Sequence, residues 1–261
     1  MFNLIYNQLD FSHKLDGHTL PSNDFKKHMH DFYELLFFIR GKAEYVVDSE
    51  TKQLVPCDIV LIPPGSLHFG TANTECSYER FVLKFPTSIL PKKIIEEIKT
   101  IPYFAGNYPF LMEYFDELEK IYQNYDLEHS AILMTGVLIR IIIDIRIHFQ
   151  NHSSPEIHQN EVVAQIIKYI NEHINQNISL NNLSKELHFS RSYISTEFSK
   201  VMKVPVMTYI RYKKIIAASQ KIALGNVKIN DIAEEFGFNE YSTFYRNYIK
   251  IIGHPPYLKS K

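Results

Sequence analysis

The feature that most restricts how this chain folds is a repeat in its last hundred residues. The pattern Leu180-x-x-Leu183-Ser184-x-x-Leu187-His188-Phe189 returns 49 residues later as Ile229-x-x-Ile232-Ala233-x-x-Phe236-Gly237-Phe238. After one extra residue in the turn, Ile194 and Phe198 return as Phe244 and Tyr248. Apolar residues three and four apart line one face of a helix, so each copy predicts a helix, a short turn and a second helix. The small residue inside the first helix, Ser184 or Ala233, lets the second cross at close range. Gly237 tolerates the left-handed backbone such a turn needs, and His188 stands at the matching position. Two helices joined by a tight turn make a helix-turn-helix unit, and here there are two in tandem.

The stretch between the copies has a shape of its own. Met207–Leu224 reads as a helix that starts after Pro205 and stops at Gly225-Asn226. At ~1.5 Å per residue it spans about 27 Å, comparable with the ~34 Å between successive major grooves on one face of B-DNA. Charge divides along the same line. Met1–Gln159 holds 14 Lys+Arg against 21 Asp+Glu, a net −7, and Asn160–Lys261 holds 14 against 8, a net +6. The basic end alone suits a polyanionic partner.

Ahead of Asn160 the pattern changes twice. Glu34–Ile39, Ala43–Val47, Ile59–Ile62 and Phe81–Phe85 are short strand-like runs, separated by Gly41, Pro56, Pro63-Pro64-Gly65 and Pro86, and they predict a small antiparallel barrel or sandwich. From Pro91 the period becomes helical, through Ile94, Ile95 and Ile98, then Leu111, Phe115, Leu118 and Ile121, then the apolar window Ala131–Phe149. Arg140, Asp144 and Arg146 break that window at amphipathic spacing, so it predicts a buried or partner-facing helix and no membrane span. Asn151–Pro155 has lost all periodicity and reads as a linker. The expected division is a barrel with an N-terminal arm over residues 1–90, a helical segment over 91–150, a linker over 151–160 and a helical domain over 161–261. The fold class is therefore α+β, with an antiparallel barrel followed by an all-α domain. With only Cys57 and Cys76 and no secretory leader, the expected compartment is the cytoplasm.

The second repeat carries a resemblance. Ile232-Ala233-x-x-x-Gly237-Phe238, then Phe244, Arg246 and Tyr248, then Gly253-His254-Pro255-Pro256, is similar to the signature of the AraC/XylS family of transcription regulators, and the likeness extends over Val162–Leu258. Three positions depart from the family pattern: Ser184 where Ala is usual, Lys203 where Gly commonly ends the first reading helix, and Lys214 where Arg is frequent. The resemblance implies double-stranded DNA, a small-molecule effector, a second copy of the chain and RNA polymerase as partners, no membrane, no cofactor, and a regulator, activator or repressor, that is not an enzyme. It places base contacts at Ser192, Ser195, Thr196, Ser242, Thr243 and Arg246. Helical geometry agrees, because Ile194 with Phe198 and Phe244 with Tyr248 mark the inward faces, which leaves Arg191 outward with them. Arg246 is the side chain able to bond guanine in bidentate fashion, and the hydroxyls address base edges or phosphates. Arg191, Lys200, Arg211, Lys213 and Lys250 are phosphate candidates.

A second motif lies near the N-terminus. His28-x-His30-x-x-x-Glu34, closed by Gly41, is similar to the first cupin motif, and Pro63-x-Gly65-x-x-His68 to the second, with Cys57 in place of its opening Gly and Asn73 one position late. Strand parity puts His28, His30 and Glu34 on one face with Leu36, Phe38 and Arg40. Such residues suit transition-metal ligation, yet in sensor barrels of this kind they serve more often as effector contacts, and the site is read as effector-binding with no metal assigned. The expected lining is His28, His30, Glu34, Tyr45, His68 and Arg80, suited to a small polar metabolite such as a sugar. The alternatives are a cupin-type metalloenzyme with an appended DNA-binding module and a ligand-independent DNA-binding factor. Ile132, Leu133, Gly136, Val137, Arg140, Ile141, Asp144, Ile145 and His148 trace more apolar surface than one packing face needs, and the resemblance implies a homodimer there.

Overall fold

Strand formation begins at the third residue, well ahead of the stretch where alternation is obvious in the sequence. In this computed structural model, which describes residues 1–17, 27–72, 76–149, 157–225 and 227–256, β1 (Asn3–Tyr6) and β2 (Leu9–Asp16) form a hairpin. Its two-residue turn, Asn7-Gln8, has positive φ at both positions, the geometry whose twist matches the flanking strands. Neither residue is glycine, so the usual hairpin signal is missing. These residues, expected as an arm, are the edge of a sheet.

The chain forms two compact units: Met1–Lys27, Phe32–Pro63 and His68–His158 make the first, and Gln159–Lys261 with the short segments His28–Asp31 and Pro64–Leu67 make the second. In the first, β3 (Tyr33–Arg40), β4 (Ala43–Val47), β5 (Glu50–Gln53), β6 (Asp58–Ile62), β7 (His68–Ala72), β8 (Tyr78–Phe85) and β9 (Phe104–Asn107) complete a six-stranded sheet ordered β1-β2-β8-β3-β6-β9 and a four-stranded sheet ordered β10-β5-β4-β7, with β10 at His158–Gln159. From β1 to β9 the paired neighbours run antiparallel. Strand β9 corrects the expectation of an unbroken helical run from Pro91: Phe104 is fully buried and pairs with Val60.

Period-two alternation sorts the side chains. Leu35, Phe37, Phe81, Leu83 and Phe85 face a core shared with α1 (Lys92–Ile98), α2 (Met112–Asn124) and α3 (Leu127–Phe149), while Leu36, Phe38, Val60, Ile62 and Val82 join Tyr45, Val47 and Leu54 inside the barrel. Arg40 departs from the expected parity. A bulge between Phe38 and Arg40 shifts the register by one, so Arg40 turns outward to an ion pair with Glu79 at 2.5 Å. On α3, Val137, Ile141 and Ile145 are buried within the chain, which removes them from the surface expected to receive a second copy; Ile132, Leu133, Gly136 and Ile147 remain exposed. Among the described residues no helix is long and apolar enough to cross a membrane. Asn73 and the expected linker stretch Asn151–Pro155 lie outside the described residues.

The second unit is helical: α4 (Glu161–Glu172), α5 (Leu180–Leu187), α6 (Arg191–Met202), α7 (Val206–Ala223), α8 (Ile229–Glu235) and α9 (Tyr241–Ile252). It has two cores. Ile166, Ile170, Leu183, Ile194, Phe198 and Met202 fill the first, and Ile232, Ala233, Phe236, Phe244 and Tyr248 the second. Helix α7 serves both, giving Tyr209, Ile210 and Ile216 to one and Ile215, Ala218 and Ile222 to the other. Its 18 residues make it a rod of about 27 Å.

Candidate functional site

Each reading head is assembled from local rules before any partner arrives. Ser179 caps α5, accepting from the backbone of Asn182, whose side chain accepts from the Ser179 N–H in return, and Ser190 caps α6 by accepting from Tyr193 N. The turn between them pivots on His188, left-handed at φ 57°, as Gly237 is at φ 76° in the second copy. Ser184, one of the departures from the family pattern, proves useful: its hydroxyl donates to Phe189 O at 2.7 Å and ties the turn to the helix behind it. Lys203 also sits in the left-handed region, at φ 55°, where a glycine would be unstrained.

Lys214, the third departure, links the two heads. Its side chain is buried, and the ammonium donates to Gln176 O at 2.8 Å, ahead of α5, and to Phe236 O at 2.9 Å, in the second turn. Burial pushes its pKa below the ordinary lysine value. One side chain of α7 therefore satisfies carbonyls belonging to both copies.

On the surface of α6, Arg191, Ser192 and Thr196 are exposed and Ser195 half-buried; on α9, Ser242 and Arg246 are exposed and Thr243 half-buried. Ile194 and Phe198, like Phe244 and Tyr248, point into the cores. Arg191 donates to Asn181 Oδ1 at 3.1 Å, and Arg246 Nε to Ser242 O at 3.3 Å. Lys200, Arg211 and Lys250 are exposed; Lys213 is half-buried, with its ammonium 5.9 Å from the Tyr209 ring centre. Three residues on these helices escaped the sequence reading: Tyr193, Tyr241 and Tyr245 are 43, 41 and 37% exposed, large apolar surfaces beside the hydroxyls. In a chain with 17 Tyr and 18 Phe an aromatic residue is by default a core residue, and only the helix faces mark these three as different.

Of the six expected lining residues, Glu34, Tyr45, His68 and Arg80 belong to the first unit and His28 and His30 to the second. Strand parity does not extend to the two histidines, because β3 starts at Tyr33 and both precede it. The carbonyl of His30 accepts from Gly65 N at 2.8 Å, tying the first motif to the second. Glu34 Oε2 is 4.0 Å from His68 Nε2 and 3.9 Å from Lys84 Nζ. Tyr45 is buried one alternation away, opposite Gly70, while His68 faces Val47. Arg80 stands apart. It lies four residues along β8 from Lys84, about 13 Å, and is committed to Asp16 at 2.6 Å with its guanidinium over the Tyr78 ring.

Comparison with known proteins agrees with this geometry. A family model described as AraC-like ligand binding domain matches residues 18–137, and one described as Helix-turn-helix domain matches residues 183–257. A ligand-binding barrel followed by tandem reading heads defines a DNA-binding transcription regulator. Two relatives matched over three quarters or more of their own length bear regulator names. YfiF of Bacillus subtilis, an uncharacterised HTH-type transcriptional regulator, is 25% identical over 241 residues, covering 88% of this chain and 76% of its own. The Msm operon regulatory protein of Streptococcus mutans is 21% identical over 268 residues, covering 97 and 95%. The chain belongs to the AraC family of transcription regulators. Among solved structures, ToxT of Vibrio cholerae is similar with a TM-score of 0.43, at 13% identity over 96% of each chain.

Proposed function

We propose that this regulator reads double-stranded DNA with α6 and α9 and changes that reading when a small polar metabolite, with sugars as the first class to test, binds in the N-terminal barrel. The observation that carries the DNA half is the pairing of two exposed hydroxyl-bearing helix faces, one with Arg246, on cores that share α7. Ser192, Ser195, Thr196, Ser242, Thr243 and Arg246 reach bases or phosphates, and Arg191 anchors the backbone. The effector contacts are His28, His30, Glu34 and His68, with Tyr45 beside them and Arg80 holding the opposite end of β8. An effector acts only if it favours one arrangement of the protein in free energy, so the bound and free forms must differ in DNA affinity or spacing preference. The exposed Ile132, Leu133, Gly136 and Ile147 on α3 are the surface for a homodimer, which would present two pairs of heads to neighbouring half-sites. RNA polymerase is the further partner of such a regulator, the cytoplasm its compartment, and turnover of a substrate is no part of its role.

The test is a mobility-shift titration on an operator recovered by in-vitro selection. Arg246→Ala is expected to lose about 1–3 kcal/mol and to relax the preference at one base pair. Unchanged affinity and preference would remove Arg246 from base reading. A melting screen across sugars and other polar metabolites tests the barrel, since a ligand at 100 times its Kd stabilises by about 2.7 kcal/mol.

A further inference from the structure

We infer that Tyr245 is a further base-reading residue of the second head, its ring packing against the C5-methyl group of a thymine in the major groove. This contact presupposes the DNA reading proposed above and adds to it a residue that the signature motif passes over. The internal repeat singles it out. Helices α6 and α9 have 12 residues each, begin at Arg191 and Tyr241, and end on the left-handed residues Lys203 and Gly253, so they match throughout at an offset of 50 positions. At that offset Ser192 falls on Ser242, Thr196 on Arg246, Ser195 on Tyr245 and Tyr193 on Thr243. Every candidate on one head thus has a counterpart on the other, and the two counterparts not yet counted as readers are exposed tyrosines, Tyr193 and Tyr245. Tyr193 lies against Phe189, in the turn ahead of α6, with ring centres 5.4 Å apart. Tyr245 adjoins Arg246, and it is exposed at the place where the shorter Ser195 is half-buried.

The ring is braced by its neighbours on α9. Tyr241 lies 6.1 Å from Phe244, which is fully buried, and Tyr245 lies 5.9 Å from Tyr241, both spacings within the range of aromatic pairs. A side chain held in this way loses less freedom on binding, which lowers the cost of the contact. Ser242 stands three residues before Tyr245, so the two are neighbours on the helix surface. Their chemistry is complementary. A hydroxyl or a guanidinium reads donors and acceptors on base edges, whereas the thymine methyl is the apolar group that the major groove presents, and an aromatic ring is the surface suited to it. The net +6 of Asn160–Lys261 favours approach of the duplex to this unit.

The experiment uses the 261-residue chain and an operator recovered by in-vitro selection, each thymine in turn being replaced by deoxyuridine, which removes the methyl group and keeps the base pair. In mobility shifts wild type is expected to lose about fourfold at one thymine beside the base pair that Arg246→Ala relaxes, the affinity worth of burying one methyl group. Tyr245→Ala is expected to lose at least as much on the unmodified operator and to show no deoxyuridine penalty at that thymine, while Tyr245→Phe keeps both the affinity and the penalty. Should Tyr245→Ala fail to fold, Tyr245→Ser takes its place, since Ser195 already stands at the matching point of α6. A tyrosine with a structural role only would weaken every operator alike and leave the penalty in place. A penalty that survives removal of the ring therefore overturns the inference, as does wild type that binds specifically with no penalty at any thymine. Equal losses for Tyr245→Phe and Tyr245→Ala on every operator would assign the phenol to a phosphate and overturn it as well. Selection that yields no preferred sequence refutes the DNA reading itself, and the contact with it, so the two failures are told apart.

Discussion

Replacing Lys214 with methionine isolates the contact that joins the two heads. Methionine keeps most of the apolar stem, so the cavity cost is small and the loss falls on two carbonyls. Gln176 O lies in a partly buried position that water can reach, and its loss costs little. Phe236 O is buried, and leaving such an acceptor unmatched costs about 1–3 kcal/mol. Relief from burying an ammonium offsets part of this, which leaves a net loss of about 2 kcal/mol, or roughly 10 °C of melting temperature for a unit of this size. The measurement is the helical unfolding transition of the full chain, followed by circular dichroism in denaturant and on heating. The pH dependence gives an independent check. A lysine whose pKa is depressed in the folded state binds fewer protons there than in the unfolded chain, so stability rises with pH between the folded value and the ordinary 10.5. Wild type should therefore gain on Lys214→Met as pH climbs through the alkaline range toward 10.5, and the difference should flatten at lower pH. A loss below about 0.5 kcal/mol, with no such divergence, would show that Lys214 does not join the heads.

Lys203→Gly relieves a left-handed backbone at the end of α6 and should stabilise the helical unit by about 1 kcal/mol, read as a higher denaturant midpoint; a lower midpoint would mean the lysine side chain holds something the strain argument ignores. Ser184→Ala makes the first repeat like the second and removes the bond to Phe189 O, at a cost of about 1 kcal/mol; a neutral result would show the hydroxyl to be dispensable. Gly237→Ala places a methyl 3.1 Å from Lys214 Nζ on a φ of +76°, so a loss of about 1–2 kcal/mol is expected in the same assay, and no loss would contradict the geometry of the turn. Ile132→Glu puts a charge on the exposed stripe of α3 proposed above for self-association, and sedimentation is expected to show it less associated than wild type while the melting curve of the barrel stays nearly unchanged; equal association of the two proteins would refute the proposed dimer surface.

Several elements could be read before any coordinates. The repeat set the two heads, the position of the turns and the left-handed backbone at His188, because helical period and turn chemistry are local. Ala43–Val47 was legible as a strand to the residue, for the same reason. The hairpin at Asn7-Gln8 was not, since its turn lacks glycine and its register is set by pairing with β8, some seventy positions away. The same limit hid β9, whose place against β6 depends on a partner in another part of the chain. On α3 the sequence offered one broad apolar surface, and only contact with α2 and the sheet divided it into buried and exposed halves.

The sequence by itself determined which residues could do chemistry: hydroxyls and an arginine on outward helix faces, and three histidines with a glutamate at motif spacing. Tertiary structure decided which of them meet. It placed Glu34 4.0 Å from His68, anchored Arg80 to Asp16, turned Arg40 out through a bulge and gave Lys214 a carbonyl on either side of α7. The physical reason is that spacing along a chain fixes faces and turns through local sterics, whereas convergence across strands and helices depends on register and close packing between segments remote in sequence.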